Sequence, residues 1–138
     1  MSQHIGRPFL AKLYAVIVSL TMLAIILQAV LFGGFYRDLS PDSIWLNLHG
    51  IVGNVFALLV ILILTPLSYL ARFPANTRIT ILTFALALIW ILIYEMGRAS
   101  DQETSLVMIH IPLAVVAFGL SGHLTARSFL AIKRSKFD

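Results

Sequence analysis

Four long stretches of this chain are almost free of charge, and the polar residues gather between them. The first covers about residues 9–32, interrupted by Lys12 near its start and by Gln28; the others cover about 44–70, 79–96 and 105–127. A helix rises about 1.5 Å per residue, so crossing a hydrocarbon core of about 30 Å takes about 20 apolar residues. Three stretches reach that length and the third nearly does, so each is expected to be a membrane-spanning helix of one domain. The first is too long for the apolar core of a cleavable signal and has no clear small-residue cleavage site, so it is expected to remain as a helix.

The polar connections are short. Gly33-Gly34 and the following FYRDLSPDS join the first two stretches, ARFPANTR with Pro74 and Asn76 joins the next two, and GRAS leads into the last. Connections of this length favour antiparallel neighbours, so the expected fold is all-α, an up-down-up-down four-helix bundle. Ser40 followed by Pro41 reads as the start of the second helix, and Ser100 with Glu103 three residues on reads as a capping box for the fourth.

Charge orients the bundle. Arg7, Lys12, Arg72, Arg78, Arg127, Lys133, Arg134 and Lys136 make eight of the ten basic residues, and all fall on the side of the two termini and the middle connection. The opposite side has Arg37 and Arg98 with the acids Asp38, Asp42, Glu95, Asp101 and Glu103. By the positive-inside rule both termini are expected in the cytoplasm, N-in and C-in, of a bacterial inner membrane. The net charge of +4 does not point to nucleic acid, because the basic residues sit at the ends of apolar runs. The tail AIKRSKFD is expected at the anionic lipid surface. Charged residues make up 12% of the chain, about half the share of a soluble domain, so lipid is its expected solvent. The absence of cysteine excludes disulfides, iron–sulfur clusters and thiolate metal sites.

Against this background two histidines stand out, His49 in LNLHGIVG and His110 in LVMIHIPL. Counted from the expected caps, they lie roughly 13 and 15 Å into the second and fourth helices. Those helices run parallel and are the diagonal pair, with axes roughly 11–14 Å apart for neighbours at about 8–10 Å. Two inward imidazoles at one depth can clamp a flat group between them. Gly50 and Gly53 are expected to leave room for a macrocycle, as are Ala114 and Ala117, with Phe56 as a wall and Arg37 and Arg98 near enough to the surface to meet propionates. Gln28 is expected in the same layer, bonded to a cofactor edge or to another helix. The chemistry that suits this set is haem b with His49 and His110 as axial ligands, each imidazole's other nitrogen hydrogen-bonded to a backbone carbonyl.

Other readings use the same residues. Glycine and alanine also permit close helix packing in membranes, and a lone histidine can bond across an interface. His123 lies about 220° around the helix from His110, so it does not extend the same site and is expected to snorkel or to meet a partner subunit. His4 is expected to be solvated. Met96 and Met108 raise copper, but Met108 points about 200° away from His110. Glu95 and Arg98 read as a surface ion pair, and Asn54 as glue between helices. No nucleophile–base pair shares a plausible face, and no inverted repeat suggests a transporter.

The stretches LHGIVGN and MIHIPLAVVAFGL give the chain a resemblance to small bacterial families of uncharacterised four-helix membrane proteins, with one histidine in helix 2 and another opening helix 4. The resemblance covers most of the chain and implies no activity. The disposition of histidines also resembles membrane b-type cytochromes, whose haems sit between histidines on different helices. Those proteins often carry two haems from histidines sharing a helix face, which His110 and His123 do not provide. The expected function is one-electron transfer near the outer face, between quinol or another donor and a partner protein, within a larger complex or a homo-oligomer. The alternatives are a cofactor-free accessory subunit and a (bacterio)chlorophyll-binding subunit, in which each histidine ligates one pigment.

Overall fold

The computed structural model describes residues 7–38, 40, 42–73, 76–99 and 106–134. Expectations placed on His4, Pro41, Pro74, Ser100, Asp101, Glu103 and Lys136 lie outside the described residues. The described chain is a four-helix bundle: α1 (Pro8–Asp38), α2 (Ile44–Leu70), α3 (Asn76–Ala99) and α4 (Val107–Arg134). All four helices are long and apolar enough to cross a membrane, the mark of a membrane protein. In lipid the backbone must satisfy its own hydrogen bonds, and a helix does so within one segment.

Several helix ends differ from the expected ones. α1 does not stop before Gly33-Gly34 but runs through both to Asp38. Gly34 is there for proximity: a Cβ on it would lie 2.5 Å from Cδ2 of Trp45, whose ring covers the bare backbone. α2 is capped by Ser43 and not by Ser40; the Ser43 hydroxyl accepts from the Trp45 amide at 3.3 Å, and the Ser43 amide bonds back to the Ser40 carbonyl at 3.0 Å. α4 continues past Arg127 to Arg134, so AIKR extends the helix.

α2 carries a π-helical turn at Val60–Leu64, followed by α-helix at Thr65–Leu70. Proline at 66 has no amide proton to give the carbonyl of Leu62, so the regular register fails there. The turn widens instead, and Val60's carbonyl accepts both the Thr65 amide and, at 2.9 Å, the Thr65 hydroxyl. The helix ends at Leu70 with Ala71 as its C-cap, and Arg72 adopts the left-handed conformation (φ 51°) common just beyond a helix C-terminus.

Among the described residues, α1 packs against α2 and α4, and α3 packs against the same two. α1 and α3 therefore oppose each other across the centre, as do α2 and α4. The core between them is built from small side chains, Ala11, Ala15, Ala24, Ala57, Ala87 and Ala117, with Val18, Val60, Leu64, Leu86 and Leu124 filling the gaps. Close backbone approach is what helix association in lipid needs, because apolar bulk gains nothing by leaving apolar solvent. Many of the Leu, Ile and Phe side chains face outward accordingly, among them Leu20, Ile51, Leu62, Phe84 and Phe129.

Buried hydroxyls are tied to their own helices. Thr21, Thr83, Ser68, Ser121 and Ser128 donate to the carbonyls of Ile17, Ile79, Thr65, Phe118 and Thr125 respectively. One such hydroxyl also spans the bundle: Tyr14 on α1 meets Thr83 Oγ1 on α3 at 2.7 Å, and both residues are fully buried. The Tyr14 ring rests edge-on against Phe73, 5.3 Å between centroids.

Candidate functional site

His49 and His110 meet across the other diagonal. Their ring centroids are 6.3 Å apart and the ring planes cross at 44°. Both histidines are half-buried. His49 lies six residues past its cap, Ser43, and His110 only three residues past the start of α4. By helical rise His49 therefore lies about 9 Å past its cap, not the roughly 13 Å expected from Ser40. Ser100, the expected reference for the depth of His110, lies outside the described residues.

Gln28 fixes His49 through a reciprocal pair of bonds. His49 Nδ1 lies 3.2 Å from the Gln28 carbonyl, and Gln28 Nε2 donates to the His49 carbonyl at 3.0 Å. A carbonyl only accepts, so Nδ1 carries the proton and Nε2 of a neutral His49 keeps its lone pair. Gln28 thus bonds another helix, and its backbone rather than its side chain orients the imidazole. Its Oε1 is buried without a hydrogen bond. Gly53 makes this possible, since a Cβ there would lie 2.9 Å from Gln28 Nε2. Phe32 flanks His49, 6.1 Å between ring centroids.

His110 rests against Gly97 of α3, where a Cβ would lie 3.4 Å from Cε1 of the imidazole. The backbone carbonyl of Ile93 faces the same ring, yet His110 Nδ1 is buried and outside hydrogen-bonding geometry. The role of Gly97 was not legible beforehand, because a glycine near a helix end reads equally as a cap. Pro112 stands inside α4 two residues on and leaves the Met108 carbonyl without its helical donor.

The remaining expected residues are dispersed. Phe56 packs against the core, Ala117 is buried and Ala114 half-buried. Gly50 is on the exposed face with nothing within 4 Å of a Cβ built on it, so the room it leaves is outside the bundle. Asn54 is exposed, not buried between helices. Arg98 is exposed and lies 6.0 Å from the Tyr94 ring centroid; no ion pair joins it to Glu95 among the described residues. Arg37 is exposed and lines an outer cleft with Asp38 and Trp45. His123 is exposed, as is Met108.

The histidine separation can be compared with metal geometry. An imidazole nitrogen bonds a transition metal at about 2.0–2.1 Å, and with about 1.1 Å from nitrogen to ring centre, two imidazoles trans across one metal have centroids about 6.3 Å apart. A tetrahedral angle would bring them to about 5.2 Å. The observed separation is compatible with the trans arrangement and also lies within the roughly 4.5–7 Å of ordinary ring contact. Among the described residues no group of three or more His, Asp or Glu side chains gathers to complete a protein-only metal site. Two imidazoles without a third protein donor would suit a metal whose other donors arrive with a macrocycle.

Comparison with protein-family models, with curated proteins and with solved structures returns no match.

Proposed function

We propose that the chain is a membrane b-type haem protein, with His49 and His110 as the two axial ligands, serving one-electron transfer near the outer membrane face. The observation that carries this reading is the pairing of two imidazoles on opposing helices, 6.3 Å between centroids, a separation that would admit one metal between them. In this reading the bundle runs up-down-up-down in a bacterial inner membrane with both termini cytoplasmic, as its basic residues indicate. A quinol or another donor and a partner subunit complete the electron path.

Bound haem b supplies a reversible one-electron couple. The chain's own part is positional. The Gln28 carbonyl holds His49 in the tautomer that presents Nε2, and Gly97 lets His110 approach from the opposite side. His49 and His110 would both hold the iron, and the chemistry supplied by a haem held on both sides would be electron transfer. The surrounding apolar helices keep water from the pair and weaken solvent screening of its charge. Arg98, next to Gly97, and Arg37 are the cations available to carboxylates at the outer end.

The test is a visible spectrum of the purified protein, air-oxidised and then reduced with dithionite. A Soret band that shifts on reduction, with sharp α and β bands lost in His49→Ala and His110→Ala, supports the proposal. A colourless protein from haem-replete cells refutes it and favours a cofactor-free accessory subunit; a dithionite-insensitive pigment spectrum favours a chlorophyll.

A further inference from the structure

The outer end of α1 and the start of α2 enclose a second feature that the histidine pair does not use. A cleft of about 750 Å³ is lined by Val30, Gly33, Gly34, Arg37, Asp38 and Trp45. It exists because α1 continues as helix through two residues without side chains, while Ser43 caps α2 so that Trp45 lies over Gly34 as a wall. We propose that this cleft binds the headgroup of a zwitterionic phospholipid bearing a primary ammonium.

The charges select this chemistry. The lining offers one guanidinium and one carboxylate on consecutive residues, both exposed and neither ion-paired among the described residues. A guanidinium fork matches a phosphodiester's two oxygens, and a carboxylate accepts hydrogen bonds from a primary ammonium. A choline headgroup has no N–H for Asp38. A glycerol headgroup can donate hydroxyl hydrogens to Asp38 but brings no positive charge to balance the carboxylate. Position agrees with chemistry: a tryptophan and charged side chains at the end of a spanning helix belong to the headgroup zone. Below the cleft, Val30, Leu27 and Leu23 follow one another at three- and four-residue spacing and are 60%, 45% and 53% exposed, an open apolar track for an acyl chain.

This site involves neither histidine and shares only Arg37 with the haem reading. The full chain is reconstituted into nanodiscs of phosphatidylcholine containing equal small fractions of phosphatidylethanolamine and phosphatidylglycerol, then released into mild detergent for native mass spectrometry. The expected result is one ethanolamine lipid retained per chain in preference to the other two. Arg37→Gln should lower retention about tenfold, and Asp38→Asn should abolish the preference for ethanolamine over choline. Both positions are exposed, so far-UV circular dichroism should show unchanged helicity. The His49→Ala, His110→Ala double variant should retain the ethanolamine lipid as wild type does. Equal retention of all three headgroups, or indifference to both substitutions, would mean ordinary annular lipid and overturn the proposal. Loss of the lipid in the double histidine variant would also overturn it, by making the cleft part of the cofactor site.

Discussion

Thr83→Val should destabilise the bundle more than Tyr14→Phe, although the two substitutions break the same hydrogen bond. The Thr83 hydroxyl has one hydrogen, and it lies 2.7 Å from the Ile79 carbonyl to which it donates. Tyr14 must therefore be the donor in the 2.7 Å contact between the two residues. Removing the tyrosine hydroxyl leaves Thr83 still bonded to Ile79, and the ring contact with Phe73 survives in phenylalanine. The cost should be that of an ordinary side-chain bond in a membrane bundle, about 0.6 kcal/mol. Removing the threonine hydroxyl strands a phenol that is 0% exposed, at about 1–3 kcal/mol. The double variant Tyr14→Phe, Thr83→Val should regain most of that loss, because no donor is left stranded. Reversible unfolding in mixed micelles of mild detergent and dodecyl sulfate, followed by circular dichroism, measures all three. A Tyr14→Phe variant as unstable as Thr83→Val, or a double variant no better than Thr83→Val alone, would show that the hydroxyls are not arranged as donor and terminal acceptor.

Other expectations follow from the histidine layer. Replacing His49 or His110 with alanine should abolish the haem spectrum, whereas His123→Ala, on the exposed face of α4, should leave it unchanged. Gly53→Ala should displace the Gln28 amide and cost about 0.6 kcal/mol, and it should cost nothing further in a Gln28→Ala background, which a double-mutant cycle reads directly. Gly97→Ala asks the His110 ring to give way by only a few tenths of an ångström, but Gly97→Val should push it aside. Haem content per chain should fall steeply for valine and little for alanine; equal loss in both would mean that Gly97 serves the backbone and not the imidazole.

The four helices were legible because an apolar run of about 20 residues in a chain so poor in charge has one stable form in lipid. Their ends were not, and each miss has a local cause. Gly33-Gly34 reads as a break in composition, yet both stay helical, and Gly34 leaves bare backbone beneath the Trp45 ring. Ser40 and Ser43 are both good caps, and the choice fell to the serine whose hydroxyl reaches the Trp45 amide. With the cap moved to Ser43, His49 rises toward the bundle end. The pair itself was legible, since two ionisable side chains inside apolar runs are rare enough to suggest a joint role. Gly97, the backbone role of Gln28 and the Tyr14–Thr83 bond were not. Each depends on how neighbouring helices are rotated, and one sequence holds no record of that rotation. Gly50 and Asn54 were misplaced for the same reason.

The two cross-bundle contacts lie on different diagonals, and that has a mechanical consequence. Four rods joined side by side make a frame that yields most easily by shearing from a square to a rhombus, lengthening one diagonal as the other shortens. Here α2 and α4 touch through His49 and His110, while α1 and α3 touch through Tyr14 and Thr83. The two contacts also lie far apart along the bundle: from Tyr14 to Gln28, the partner of His49, is 14 residues of α1, about 21 Å. Each diagonal is therefore tied at its own end, one by a hydroxyl pair with no slack to give and the other by two rings.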